Sequence, residues 1–308
     1  MNRSEGTPRL RWPMRATALL LLPWVVWTVQ ETVDPLHGPS REDLGLLGNV
    51  REVIVEEASV FESASELIEG RRVATERITF ESDGLVSQWV EYDRSAEPRS
   101  TRQYSHVDGL LTLEEEYRSA RRPFEVTSYQ HDLAAGRTTA EVRTGGGTLR
   151  RTIVYEYVGE GRLEAITEYD PSGTETSQVL YTYTGTEERA DRYDLDGEIA
   201  SWSIKTSDAS GRLAEVALFT SGSEDTPHTI SYEYDSHGSV VVEQSSGPVT
   251  IGFIVITSTP SEKKSSYEYT YDDVGNWTKR VTSVWMSNDD NPQWQATTVT
   301  YRSLLYNP

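Results

Sequence analysis

From Tyr155 onward, aromatic and polar residues alternate with a period of two. Tyr155 and Tyr157, Tyr181 and Tyr183, Tyr232 and Tyr234, and Tyr267, Tyr269 and Tyr271 recur on one face, while Glu268, Thr270 and Asp272 take the other. Alternation of this kind predicts half-buried strands. Glycines preceded by polar turn residues punctuate the chain at Gly84, Gly109, Gly136, Gly161, Gly185, Gly211, Gly238 and Gly275, in steps of 25, 27, 25, 24, 26, 27 and 37. A period in this range predicts a repeat architecture. The last step is long because Ile251–Ser266 adds a longer hairpin or loop. A second turn series, clearest as YDPSG from Tyr169 and YDLDG from Tyr193, falls between these glycines, so each unit holds two strands. Short D-x-x-G turns join antiparallel neighbours. The predicted fold is all-β, a long antiparallel meander of hairpin repeats in one strongly twisted or curled sheet.

About 16 strands at ~4.8 Å spacing would make a sheet near 77 Å wide, and open sheets beyond about ten strands curl, split or close. A transmembrane barrel is not expected, because faces such as Thr182, Thr184 and Thr186, or Glu268, Thr270 and Asp272, are too polar for lipid. The open edges then need charge, bulges or the N-terminal tether to protect them.

The phrases YEYDSHGS, YTYDDVGNWTKR, YDPSG and YDLDG resemble the YD repeats of bacterial Rhs-type cell-envelope proteins. The resemblance spans roughly Asn49 to Tyr301 and is clearest after Tyr155. It implies long sheets that spiral into a hollow shell around a toxin, and some related proteins are carbohydrate-binding. This chain departs from that pattern in having about eight units and no toxin-like domain after them.

The N-terminus has a different character. Arg3, Arg9, Arg11 and Arg15 precede an apolar run from Ala16 to Val29, which Gln30 and Glu31 terminate. Basic then apolar is the order of an export signal, shorter than the ~20 residues a spanning helix wants and weakened by Pro23. A small-x-small cleavage site is missing, so residues 1–30 read as a signal peptide or a signal anchor. Met14 followed by Arg15 would make a compact signal if translation began there. Residues 31–48, rich in Pro and Gly, read as a linker, and 49–308 as the YD-repeat-like β-sheet domain.

Charge narrows the partners. Twenty-nine Lys plus Arg against 49 Asp plus Glu leave −20, a surface that repels nucleic acid and anionic headgroups. Membrane contact is expected only through the N-terminal segment. The absence of cysteine excludes disulfides, thiolate metal sites and a cysteine nucleophile.

No motif for chemistry stands out. His37, His106, His131, His228 and His237 show no metal-ligand spacing, and HExxH, GxSxG and GxxxxGK are missing. Thr144–Thr148, TGGGT, reads as a hairpin turn, not a phosphate loop. DLDGE from Asp194 and SNDDN from Ser287 carry oxygen ligands of the kind Ca²⁺ prefers, but Asx-rich turns explain both more simply, and no metal or other cofactor is expected. Asn276-Trp277-Thr278 fits a glycosylation sequon and is better read as a turn. Among the tryptophans of the body, Trp277, Trp285 and Trp294 are the residues chosen for ligand contact, because exposed flat aromatics anchor sugars and partners. The competing reading puts these rings in the core of a curled sheet.

The function that follows is an exported bacterial envelope protein, not an enzyme, with a binding or structural scaffold role toward envelope polysaccharide or another envelope protein. The alternatives are a component or remnant of an Rhs-type toxin-delivery system and, less favoured, a glycoside hydrolase built from paired carboxylates.

Overall fold

The computed structural model describes residues 35–307 apart from 64–65, 119–120, 160, 223–224, 248, 252–253, 257–261 and 288–291. The export segment expected over residues 1–30 lies outside the described residues, as does most of Ser287–Asn291. Among the described residues no helix is long and apolar enough to cross a membrane.

The chain forms β1 (Val50–Ser63), β2 (Glu66–Glu69), β3 (Val73–Phe80), β4 (Val86–Tyr92), β5 (Pro98–Val107), β6 (Leu110–Tyr117) and β7 (Glu125–Asp132). It continues with β8 (Arg137–Thr144), β9 (Leu149–Val158), β10 (Arg162–Tyr169), β11 (Glu175–Thr184), β12 (Glu187–Tyr193), β13 (Ile199–Ser207) and β14 (Leu213–Thr220). The last third supplies β15 (His228–Tyr234), β16 (Val240–Ser246), β17 (Val249–Ile251), β18 (Ile254–Ile256), β19 (Lys263–Tyr271), β20 (Trp277–Met286) and β21 (Gln293–Tyr306).

The meander predicted from the repeats is present, but the sheet is not open. Strands from β3 to β16 pair antiparallel in sequence, β16 passes to β19, and β21 pairs with β1, which pairs with β3 on its other side. Eighteen strands therefore close into a barrel, with β2 extending β1 and with β17 and β18 forming a separate hairpin. The seam runs from Val50 opposite Tyr306 to Ser59 opposite Thr298. The edges that were expected to need protection thus protect each other.

The turns explain the curvature. At Asp93, Asp170, Asp194, Asp208, Asp235 and Asp272 the aspartate amide donates to the carbonyl four residues on, and the amide three residues on donates back. Each carboxylate accepts from the amides two and four residues on. This is a type I turn closed by a left-handed residue, and the register shifts by one residue at every copy. Bulges bend a strand and sharpen its twist, so one in each of these hairpins rolls the sheet toward its own far edge.

Five of the six turns place glycine at the left-handed position, Gly173 with φ +84° among them, whereas the sixth holds Ala96 at φ +62°. A side chain there costs about 1 kcal/mol. Ala96→Gly is therefore expected to stabilise the protein by about 0.5–1 kcal/mol and Gly173→Ala to destabilise it by a similar amount, both measurable by urea unfolding.

The alternation between strands makes every glycine of the first periodic series fall at one rim, together with both ends of the barrel chain. Tyrosines tie neighbouring hairpins together there. The hydroxyls of Tyr183, Tyr234 and Tyr269 donate to the carbonyls of Leu163, Leu213 and Val240, each two residues past the glycine of an adjacent hairpin. Tyr271 and Tyr306 donate instead to the carboxylates of Asp235 and Asp272. The tyrosine and the aspartate of the repeat are thus two halves of one joint.

The stretch read as a linker is docked along its described length. Leu36 accepts from the Leu111 amide, Pro39 from Val86, and Arg41 donates to Gly84, around a bridge between Ser40 and Leu85. Gly84 holds φ +100°, which favours glycine, and a Cβ there would also lie 2.7 Å from Nε of Arg41. Leu46 packs with Val50, Val53, Ile78, Phe80, Val86, Tyr104 and Leu111 in the main apolar cluster. This strap crosses the inner side of the rim to Asn276 in the turn before β20. There the Asn276 side chain accepts from the Leu47 amide at 2.6 Å, and donates to the Leu47 carbonyl at 2.9 Å and to the Tyr306 hydroxyl at 2.8 Å.

Among the described residues the contacts between strands follow the hydrogen-bonded neighbours around the wall. A circular barrel of this strand number, with ~4.8 Å spacing and a tilt of about 40°, would be about 35 Å across.

Candidate functional site

Side chains that point into a closed sheet converge and those that point out diverge, so the more covered face is the lumenal one. By that criterion Tyr181, Tyr183, Tyr267, Tyr269 and Tyr271 line the lumen, while Thr182, Thr184, Glu268 and Thr270 are exposed outside. The outer face is polar from strand to strand, with the ion pairs Glu52–Arg77 and Asp191–Arg189, the exposed Glu233 and the neutral, exposed Gln103. A lipid-facing barrel wall carries an apolar band instead. One sector of the outer face is covered. Glu69 accepts from Lys279 at 2.7 Å and from the Tyr301 hydroxyl, which folds the β2 hairpin over the outer side of β20 and β21. Ala58, Val60 and Val299 are buried in the same sector.

The three chosen tryptophans do not form one site. Trp285 and Trp294 meet edge to face at 5.3 Å on the outer surface, 37% and 39% exposed, with the Lys264 amine 6.0 Å from the Trp294 ring. Trp277 faces the lumen. The bulge at Thr278 between Tyr271–Trp277 and Thr270–Lys279 puts Trp277 and Trp285 on opposite faces although they lie an even number of residues apart.

Around Trp277 the lumenal wall gathers two arginines that the sequence reading passed over. The Arg302 guanidinium lies 3.7 Å from the Trp277 ring centre, and Arg280 lies 5.4 Å from it and 5.3 Å from Tyr267. Neither arginine forms an ion pair with a described residue, and Nε of each is buried without a hydrogen-bond partner. Arg280 lies 3.4 Å from Thr300 Oγ1 and also bonds toward the Tyr269 hydroxyl. Burial first, and then Arg280, push Arg302 down to about 10, with Glu76 and Tyr269 opposing. Tyr267 is pushed up to about 12 by burial and by Glu243. The signal available in the sequence was cationic residues, in WTKRV and TYRSLLY, in register with the tyrosine face.

Acidic groups occupy the same wall. Glu76 stands opposite Glu91 across β3 and β4, and burial, then Glu91, raise its pKa. Glu114 is raised chiefly by burial, against Arg102 and a hydrogen bond from Tyr129 at 3.2 Å.

The remaining sequence candidates are structural. Asn276 is 2% exposed with its amide fully engaged, which leaves no acceptor for a glycan. Thr144–Thr148 is a hairpin turn closed at Gly147, and Asp194 is bonded within its own turn. His37 and His106 contact Gly109 and Glu81, His131 sits between Thr138 and Leu111, and His237 stacks on Tyr271. Among the described residues no three His, Asp or Glu side chains are grouped to hold a metal.

No known family and no curated protein matches the sequence. Solved structures do. A porin-like protein from Bacteroides uniformis ATCC 8492 is similar over 88% of this chain and 100% of its own, with 14% identity and a TM-score of 0.42. TcdB2-TccC3-TEV is similar over 79% of this chain and 14% of its own, with 13% identity and a TM-score of 0.26. A protein of unknown function from Bacteroides fragilis NCTC 9343 is similar over 47% of this chain and 89% of its own, with 12% identity and a TM-score of 0.21. All three lie below a TM-score of 0.5 and assign neither a family nor an activity to the chain.

Proposed function

We propose that the chain is an exported envelope protein whose barrel stands in water as a non-catalytic binding scaffold for envelope polysaccharide or another envelope protein. The observation that carries the reading is the polarity of both faces of the wall, with charge outside and tyrosine, arginine and glutamate inside. The basic-then-apolar N-terminus supports export, and the tyrosine–aspartate joints fit the YD-repeat resemblance. A test uses the lack of cysteine. Gln103→Cys, exposed in the middle of β5, is expected to react fully with a membrane-impermeant maleimide in envelope fractions of cells making the full chain. Protection of that thiol by the bilayer would overturn the reading.

A second reading, a carboxylate hydrolase, draws on Glu76 facing Glu91 with a raised pKa. Turnover of aryl glycosides that Glu76→Gln abolishes would favour it.

A further inference from the structure

Within an acidic protein, two arginines lie side by side on the lumenal wall, and among the described residues neither is ion-paired with a carboxylate. Arg302 is diagonal to Arg280, because Arg280 pairs with Thr300 across β20 and β21. The cations repel each other, and the Nε of each is buried without a partner. Such a pair is costly unless an anion joins it. Neighbouring carboxylates stand elsewhere: Glu76 is two strands away from Arg302, with Val55 between them, and Glu243 is bonded to Tyr267. The Trp277 ring holds the Arg302 guanidinium by its face, which fixes the plane and leaves the N–H edges for a ligand.

We propose that Arg280 and Arg302, held by Trp277, form a lumenal site for an oxyanion group, the carboxylate or sulfate of an acidic sugar. The inference rests on the reading of the barrel as a binding scaffold and names the chemistry of its ligand. The guanidinium fork matches two oxygens of a carboxylate or sulfate, and Tyr267 and Tyr269 flank it with hydroxyl-bearing rings suited to a saturated ring. A polyanion is repelled by the outer surface and admitted only where the wall presents cations, which favours short acidic oligosaccharides over long ones.

The test is calorimetric titration of the full chain with galacturonate oligomers, their neutral galactose counterparts, and inorganic sulfate. Saturable binding of the galacturonate oligomers that weakens with added salt is expected, with neutral oligomers at least about tenfold weaker. Arg280→Gln and Arg302→Gln should each lose about 10- to 100-fold, whereas Trp285→Phe with Trp294→Phe should lose nothing. Removing a desolvated cation also keeps the variants folded, so their melting temperatures should equal or exceed that of the parent. The anion should raise the parent's melting temperature and leave theirs unchanged. Sulfate binding alone, lost in both arginine variants, would support an inorganic oxyanion as the source. Binding of galacturonate that neither arginine variant weakens, or no binding of any anion, overturns the inference. Equal binding of neutral oligomers would overturn it too, while leaving the scaffold reading intact; the Gln103→Cys labelling tests that reading separately.

Discussion

Asn276→Ala is expected to destabilise the barrel by about 2–4 kcal/mol, a fall of about 5–10 °C in melting temperature. The side chain makes three hydrogen bonds, two of them to the amide and carbonyl of Leu47 in the manner of a one-residue β-bridge. Alanine leaves those backbone groups without a partner beside Tyr306. It also loosens the strap whose Leu46 covers Val50, Val53, Phe80 and Val86. Hydrogen exchange should show the effect first at residues 36–48, with limited proteolysis following there. A variant that keeps the parent melting temperature and exchange pattern would mean that the strap is held by its apolar contacts alone.

Acid is expected to open the barrel steeply below pH 4. Five turn aspartates have folded-state pKa values below the ordinary value of 3.8. For Asp93 the main cause is the Glu97 amide, for Asp170 the Ser172 hydroxyl, and for Asp208 the Arg212 guanidinium. Burial pushes Asp235 and Asp272 upward, but bonds from Tyr271 and Tyr306 together with turn amides outweigh it. A depressed acid contributes stability that is complete above its unfolded pKa and is lost as pH falls through the folded one. Glu76 and Glu114 work the other way: raised above 4.5, they contribute fully below that value and lose the contribution as pH rises. The turns outnumber them, so the net loss lies on the acid side. Asn keeps the acceptor of an Asx turn and cannot titrate. Asp93→Asn with Asp170→Asn should therefore lower stability at neutral pH more than at pH 2, and the protons taken up on unfolding between pH 4 and 2 should fall. An unchanged uptake would remove these turns as the source of acid sensitivity.

The strands were legible because local chemistry makes them. Alternating tyrosines and the D-x-x-G loops carry their own hydrogen-bond plan, and the first glycine series marks one rim. Closure was not legible, because it depends on Val50–Ser59 meeting Thr298–Tyr306 across the whole chain, and no motif distinguishes those strands from their neighbours. The strap looked like a tether for the same reason: its anchor, Asn276, lies 229 residues from Leu47. The tryptophans were misgrouped by a single bulge, which turns an even spacing into opposite faces. Arg280 and Arg302 gave no motif at all. Their meaning comes only from standing together on the Trp277 ring with no acid between them.

The barrel is closed where β1 and β21 join. Ile54 and Ser303 are register partners on the outer side of that seam, and antiparallel partners have Cα atoms about 4.5–5.5 Å apart, within the span a disulfide bridges. Ile54→Cys with Ser303→Cys, in a chain with no other cysteine, should oxidise within one molecule to near completion and run as a compact monomer under non-reducing denaturing conditions. Free thiols, or links only between molecules, would contradict the closed barrel.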